Sequence, residues 1–290
     1  MNITFENKND LTIKTDVLIL PVFGTNRSPL FVEIDRSLNG LLKDVLRKKP
    51  SLSQKGAELV HVSGKPQKAV LLVGIGDFRK ATAETLRKAG GSASGSLREY
   101  ELKKVSLSVK DLVQHGLDYF SFLDGFLLNR YLFTKYKTKP EKIYDGELTV
   151  LAAGTRNDLA RLKWGMNLAE AVHVARDLIN SPANDITPSA LAGIARGLAK
   201  GKVSVRVFGA NEIRKLGMNA FYAVAKGSSE EPRLIVLNYS GRKDSPLIAL
   251  VGKSVTFDSG GLSIKPSEGM EKMKYDMAGG AAVLAVMQTV

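Results

Sequence analysis

The sequence has no cysteine, which excludes disulfides, thiolate nucleophiles and thiolate-held zinc. Any metal must be held by carboxylate, imidazole or amine groups. Histidine is scarce as well, with only His61, His115 and His173. His173 stands among Ala171, Val172 and Val174 with Glu170 and Asp177 on the same helical face, which suits a packed or surface histidine better than a metal ligand. Long apolar runs are missing, and the opening MNITFENKND lacks a charged segment followed by an apolar one. A soluble, cytoplasmic protein without a membrane span is expected. Internal repeats and low-complexity segments are absent too.

What is there is a chain of 290 residues, 44% of them hydrophobic, long enough for two domains with cores of their own. The formal net charge of +13 raises the question of nucleic acid, because clustered cations gain affinity by releasing condensed counterions. The basic residues are spread out, with small groups at Arg47-Lys48-Lys49 and Lys135-Tyr136-Lys137 and no dense run interleaved with aromatics. A solvated basic face is the better reading, and nucleic acid is not the expected partner.

Short apolar runs alternate with amphipathic stretches in the first half, the pattern of an α/β domain with largely parallel strands. Strands are expected at Val17 to Val22, Ala69 to Val73, Val105 to Val109 and Leu148 to Ala152. Helical spacing marks Phe31 to Leu46, Thr82 to Tyr100 and Phe120 to Phe133. One long helix is expected from Asp158 to Asn180, broken by Ser181-Pro182. Thr187 before Pro188 predicts a capped helix running to about Leu198. Strands at Val203 to Phe208, Leu234 to Tyr239 and Leu247 to Val251 follow, with a short helix near Ala210 to Leu216 and an apolar helix at Gly279 to Gln288. The expected organisation is an N-terminal α/β domain over 1–155 and a second α/β domain over 156–290, bridged by the long helix.

Two motifs fail on inspection. Val73-Gly74-Ile75-Gly76 follows a strand like the start of a dinucleotide fingerprint, but Arg79 occupies the third glycine position. Gly252-Lys253-Ser254 resembles the end of a phosphate-binding loop, but the position that needs the loop's first glycine is Leu247, in an expected strand.

The informative segment runs from Leu250 to Gly280. An apolar run enters a loop holding Lys253, Asp258, Gly260-Gly261 and Lys265, and Asp276 follows. In open α/β sheets ligands bind where strands deliver their carboxyl ends into loops. Two carboxylates and an amine suit Zn²⁺ or Mn²⁺ when the amine is neutral, because metal and proton compete for the nitrogen. On spacing alone the plainer reading is two structural ion pairs, Lys253 to Asp258 and Lys265 to Asp276.

The run VGKSVTFDSGGLSIKPSEGMEKMKYDMAGGAAV resembles the signature of the leucine (cytosol) aminopeptidases, the M17 metallopeptidases, and the spacing of Lys253, Asp258, Lys265 and Asp276 follows that family's pattern. ARDLINSPANDITP, LGMNAFYAVAKGSSEEPRLIVLNY and GFLLNRYLFTKYK are similar to family segments as well. Ser254 departs from the family, where glycine is usual.

The resemblance implies a fold and a chemistry: a macro-domain-like α/β domain followed by the first part of an α/β metallopeptidase domain, and a two-metal aminopeptidase acting on peptide substrates. It implies that Lys253 and Asp276 bind the tighter of two divalent ions, Mn²⁺ or Zn²⁺, and that Asp258 bridges both. Lys265 would be the catalytic lysine that polarises the scissile carbonyl and stabilises the gem-diolate. Met273 would line the pocket for the N-terminal side chain, and the substrate's α-amine would bind the second metal.

Downstream, the family has an Asn-Thr-Asp-Ala-Glu-Gly-Arg segment that supplies further ligands and an arginine for a bicarbonate base. The sequence stops at Val290 before such a segment, so the resemblance leads to the expectation of a truncated chain, inactive alone. Its last helix would be left uncovered, inviting aggregation or a partner. The family's homo-hexamer, formed through the catalytic domain, is not carried over. The competing expectation is a non-catalytic binding protein that uses its basic N-terminal domain for a nucleotide or nucleic acid.

Overall fold

The structure, a computed structural model, describes residues 1–24, 28–98, 100–141, 143–241 and 246–290. The chain divides into two compact units, Met1–Ala169 and Glu170–Val290.

The first unit is built from β1 (Asn2–Phe5), β2 (Thr15–Val22), α1 (Pro29–Ser37), α2 (Leu41–Lys48), β3 (Ala57–His61), β4 (Gln67–Gly74), α3 (Ala83–Ser96), β5 (Lys104–Ser108), α4 (Lys110–Gln114), α5 (Tyr119–Leu128), β6 (Glu147–Leu151) and the start of α6 (Arg156–Asn180). Its six strands lie in the order β1-β6-β5-β2-β4-β3, parallel except where β3 pairs antiparallel with β4. The central strands read as unbroken apolar runs because both faces of the sheet are covered. Alternate residues serve opposite cores. Val17 and Ile19 pack with Leu86 and Ala89 of α3, Phe122 and Phe126 of α5 and Leu162 of α6. Leu18, Leu20 and Val22 pack with Phe31 and Ile34 of α1 and Leu42 and Leu46 of α2.

Helix ends follow local chemistry. Thr82 and Thr85 form a reciprocal capping box at the start of α3. Thr155 and Asp158 do the same for α6, each side chain accepting from the other's backbone N–H. The expected helix Phe31 to Leu46 is in fact two, because Asn39 and Gly40 both take positive φ between α1 and α2.

The second unit holds the end of α6, α7 (Pro188–Gly197), β7 (Val203–Phe208), α8 (Ala210–Lys215), α9 (Asn219–Ala225), β8 (Leu234–Tyr239), a 3₁₀ turn at Met270–Tyr275 and α10 (Ala278–Gln288). Thr187 caps α7 by accepting from the Ala190 amide, with Pro188 in the first turn. β7 and β8 pair antiparallel from Val203↔Tyr239 to Phe208↔Leu234. The core gathers Leu178, Ile186, Leu191, Ala195, Met277, Ala281 and Leu284. α10 therefore buries one face within its own unit. The expected strand Leu247 to Val251 does not form: among the described residues it carries no ladder, and Leu247, Ile248 and Val251 are 87%, 82% and 95% exposed. An apolar run becomes a strand only where another strand offers it hydrogen bonds. No helix among the described residues is long and apolar enough to cross a membrane.

Candidate metal centre

All five residues singled out in the sequence lie in the second unit, on the stretch from 252 to the start of α10. Three local features set their places. The first is a close approach of backbone to backbone. The carbonyl of Lys253 accepts from the Gly280 amide at 2.8 Å. A Cβ at Gly252 would stand 2.4 Å from the Gly279 carbonyl oxygen, and a Cβ at Gly280 would stand 1.7 Å from Ser254 Oγ. The chain can seat Lys253 on the first turn of α10 only because these positions lack side chains. Ser254 fits because residue 280 is glycine.

The second feature is the loop after Phe257. Asp258 Oδ1 accepts from the Gly260 amide at 2.9 Å, and the Lys265 amide donates to the Ser259 carbonyl at 2.9 Å. Gly260 takes φ +88°, a left-handed conformation that lets the chain double back. The loop thus returns Lys265 to Asp258, and their side chains meet at 2.7 Å between Nζ and Oδ2. Hydrogen bonds from Lys265 and from the Gly260 amide hold the Asp258 carboxyl below its ordinary value.

The third is the 3₁₀ turn. It ends on Asp276, whose neighbour Met277 is fully buried in the core. Lys253 Nζ lies 2.7 Å from Asp276 Oδ2. The approach lies off the hydrogen-bonding direction, so the buried Oδ2 has a charge beside it and no directed donor. Met273, on the same turn, places its sulfur 3.2 Å from Lys265 Nζ.

The four charged residues therefore do pair with one another, but not in the expected pairs: Lys253 goes to Asp276 and Lys265 to Asp258. The loop geometry explains the exchange, because the Gly260 turn brings Lys265 back onto the near aspartate. Sequence reading missed Gly252, Gly279 and Gly280 as packing determinants. The signal was the glycine pair directly after the last candidate ligand.

The donors suit a divalent ion in kind. Two carboxylates and an amine are oxygen and nitrogen ligands of the sort Zn²⁺ and Mn²⁺ take, and the buried Asp276 Oδ2 has the Lys253 ammonium as its charged neighbour. In number they are few. Among the described residues no three His, Cys, Asp or Glu side chains gather into a metal-sized cluster.

Residues 173–290 match the description "Cytosol aminopeptidase family, catalytic domain", and residues 19–140 match "Cytosol aminopeptidase family, N-terminal domain". The probable cytosol aminopeptidase of Geobacter sp. (strain M21) is 38% identical over 99% of this chain, and that of Solibacter usitatus (strain Ellin6076) is 39% identical over 100%. The chain spans 60% and 59% of the lengths of these two relatives. Among solved structures, a mutant of tomato leucine aminopeptidase superposes with a TM-score of 0.84 at 23% identity, over 100% of this chain and 59% of that one, a likeness of fold. The bottromycin maturation enzyme in complex with Mn superposes with a TM-score of 0.75 at 28% identity, over 95% of this chain and 56% of that one.

Proposed function

The chain belongs to the cytosol aminopeptidase family, and on that premise we propose that it carries the lysine-containing half of a two-metal aminopeptidase centre, acting on the N-terminal residue of peptides. The observation that supports this most is the gathering of Lys253 with Asp276 and of Lys265 with Asp258 on one loop and turn, with Met273 beside Lys265.

Lys253, as a neutral amine, and Asp276 would hold the tighter ion, with Asp258 shared between two. Bound Mn²⁺ or Zn²⁺ would supply the Lewis acidity that polarises a carbonyl and lowers the pKa of water. The Lys265 side chain is part exposed and now pairs with Asp258, and with Asp258 engaged by metal its ammonium would be free to donate to the scissile carbonyl oxygen. Fixed positive charge aimed at an oxygen that gains negative charge is worth most in the transition state. The flexible, polarisable Met273 side chain beside Lys265 suits a pocket for leucine-like N-terminal residues.

Two carboxylates and one amine are too few ligands for two ions, since zinc takes about four and other divalent cations about six. The 290-residue chain assayed alone on L-leucine p-nitroanilide with Mn²⁺ is therefore expected to give only trace turnover. Adding in trans the part of the Geobacter relative that lies beyond the match should restore turnover, and Lys265→Ala should abolish it. Robust turnover by the chain alone overturns the claim of too few ligands; no turnover under any complementation overturns the aminopeptidase reading.

A further inference from the structure

Lys274 stands between Met273 and Asp276 on the 3₁₀ turn, and its ammonium goes elsewhere than to the charge pairs of the centre. Lys274 Nζ donates to the backbone carbonyl of Asn180 at 3.0 Å, in a half-buried setting. Asn180 is the last residue of α6. The carbonyls of a helix's final turn have no partner within the helix, and a cation there also meets the negative end of the helix dipole. Lysine is therefore suited to this place twice over, as donor and as charge.

The turn's other ties explain why this one matters. On its N-terminal side the bonds are local, Met270 N–H to the Ser267 carbonyl and Lys272 N–H to the Gly269 carbonyl. Met273 and Asp276 are touched by Lys265 and Lys253, but those lysines belong to the centre and would be drawn away by a metal or a substrate. Met277 fixes the C-terminal side through the core. The Lys274 bond ties the turn to an element that takes no part in the chemistry. It involves neither Lys253 nor Lys265.

We propose that Lys274 is a positioning residue: by clasping the end of α6 it holds the turn that presents Asp276 to the metal and Met273 to the substrate. This rests on the metal-centre reading above. The test compares the full chain with Lys274→Met, Lys274→Arg and, as a control on the same turn, the exposed Lys272→Met. Amide hydrogen exchange over residues 270–276 and Mn²⁺ affinity by calorimetry are measured together with thermal stability.

Lys274→Met should exchange faster over 270–276 and bind Mn²⁺ about tenfold more weakly, the scale typical of groups that orient metal ligands. Lys274→Arg, which keeps the donor and the charge, should recover both. Lys272→Met should change neither. Unchanged exchange or unchanged affinity in Lys274→Met overturns the proposal, as does failure of Lys274→Arg to rescue. Should Lys274→Met unfold the unit, an Lys274→Arg protein with native exchange and affinity upholds the proposal, and one that has lost either overturns it. If the unaltered chain binds no Mn²⁺, the claim that Lys253, Asp258 and Asp276 by themselves hold an ion falls, while the exchange measurement still decides the clasp.

Discussion

At the scale of single residues, the candidate centre depends as much on side chains that are missing as on those present. Gly280 shows this most sharply. Alanine in a helix is ordinarily favoured over glycine by roughly 1 kcal/mol, so Gly280→Ala in α10 would stabilise the chain if helix propensity decided the outcome. Packing decides it instead, because the new Cβ would lie 1.7 Å from Ser254 Oγ, and overpacking of this kind costs about 1–3 kcal/mol. Gly280→Ala should therefore destabilise the second unit and shift Lys253, whose carbonyl is bonded to the Gly280 amide. The obstacle is the Ser254 side chain, so Ser254→Gly should rescue it. A double-mutant cycle measured by urea denaturation checks this: the double variant should regain most of the loss, and simple additivity of the two changes would sink the account. The same argument explains how the Ser254 side chain is accommodated beside α10.

At the scale of elements, much of the chain was legible because its signals are local. Thr187-Pro188 announced α7, and the apolar runs around Ile19 and Leu71 announced central strands, since both faces of those strands are buried and no polar alternation interrupts them. What could not be read depends on distant partners. Leu247 to Val251 has the composition of a strand and forms none, and the antiparallel edge strand β3 was not anticipated because its pattern is part apolar and part charged. The charge pairs of the centre were misassigned for the same reason, since the Gly260 turn and not the spacing chooses the partners. One sheet feature invites a pH test. Asp16 lies at the start of β2, where its Oδ2 accepts from the amides of Lys103 and Lys104 at 2.8 and 3.0 Å, and its Oδ1 pairs with Lys68 at 2.6 Å. Burial alone would raise this carboxyl, but the Lys68 ammonium and the two amides outweigh it and bring it down to about 2 from 3.8. A group whose pKa is depressed on folding stabilises the native state above its unfolded value and loses that contribution as pH falls through the folded one. Stability of the first unit should therefore decline between pH 4 and pH 2, and Asp16→Asn should flatten that decline while lowering stability at neutral pH. Thermal melts across that range read it directly; parallel pH profiles for the two proteins would show that Asp16 is not the group responsible.

At the scale of the whole molecule, charge and apolar surface pull in opposite directions. The net charge of +13 disfavours contact between copies. Against it stand Leu247, Ile248 and Val251, and Leu262 and Ile264 in the loop of the candidate centre, all largely exposed. Several large apolar side chains exposed this close in sequence are a place where copies can meet. Burying a side chain of this size gains about 1.5–3 kcal/mol, so two or three of them suffice for self-association once repulsion is weakened. Salt does that, since the screening length falls to about 8 Å at physiological ionic strength from about 30 Å at 0.01 M. Unlike binding through charge, then, association of this chain should strengthen as salt is added. Light scattering at fixed protein concentration should show monomer in dilute buffer and growing particles as NaCl rises, with Leu247→Gln and Ile248→Gln together suppressing the growth. The exposed Leu216 supplies the control, because Leu216→Gln removes an apolar side chain from another place and should leave the salt response unchanged. Particles that shrink with salt, or that persist in the Leu247 and Ile248 double variant, would mean that the charged face and not this apolar surface governs how the molecules meet.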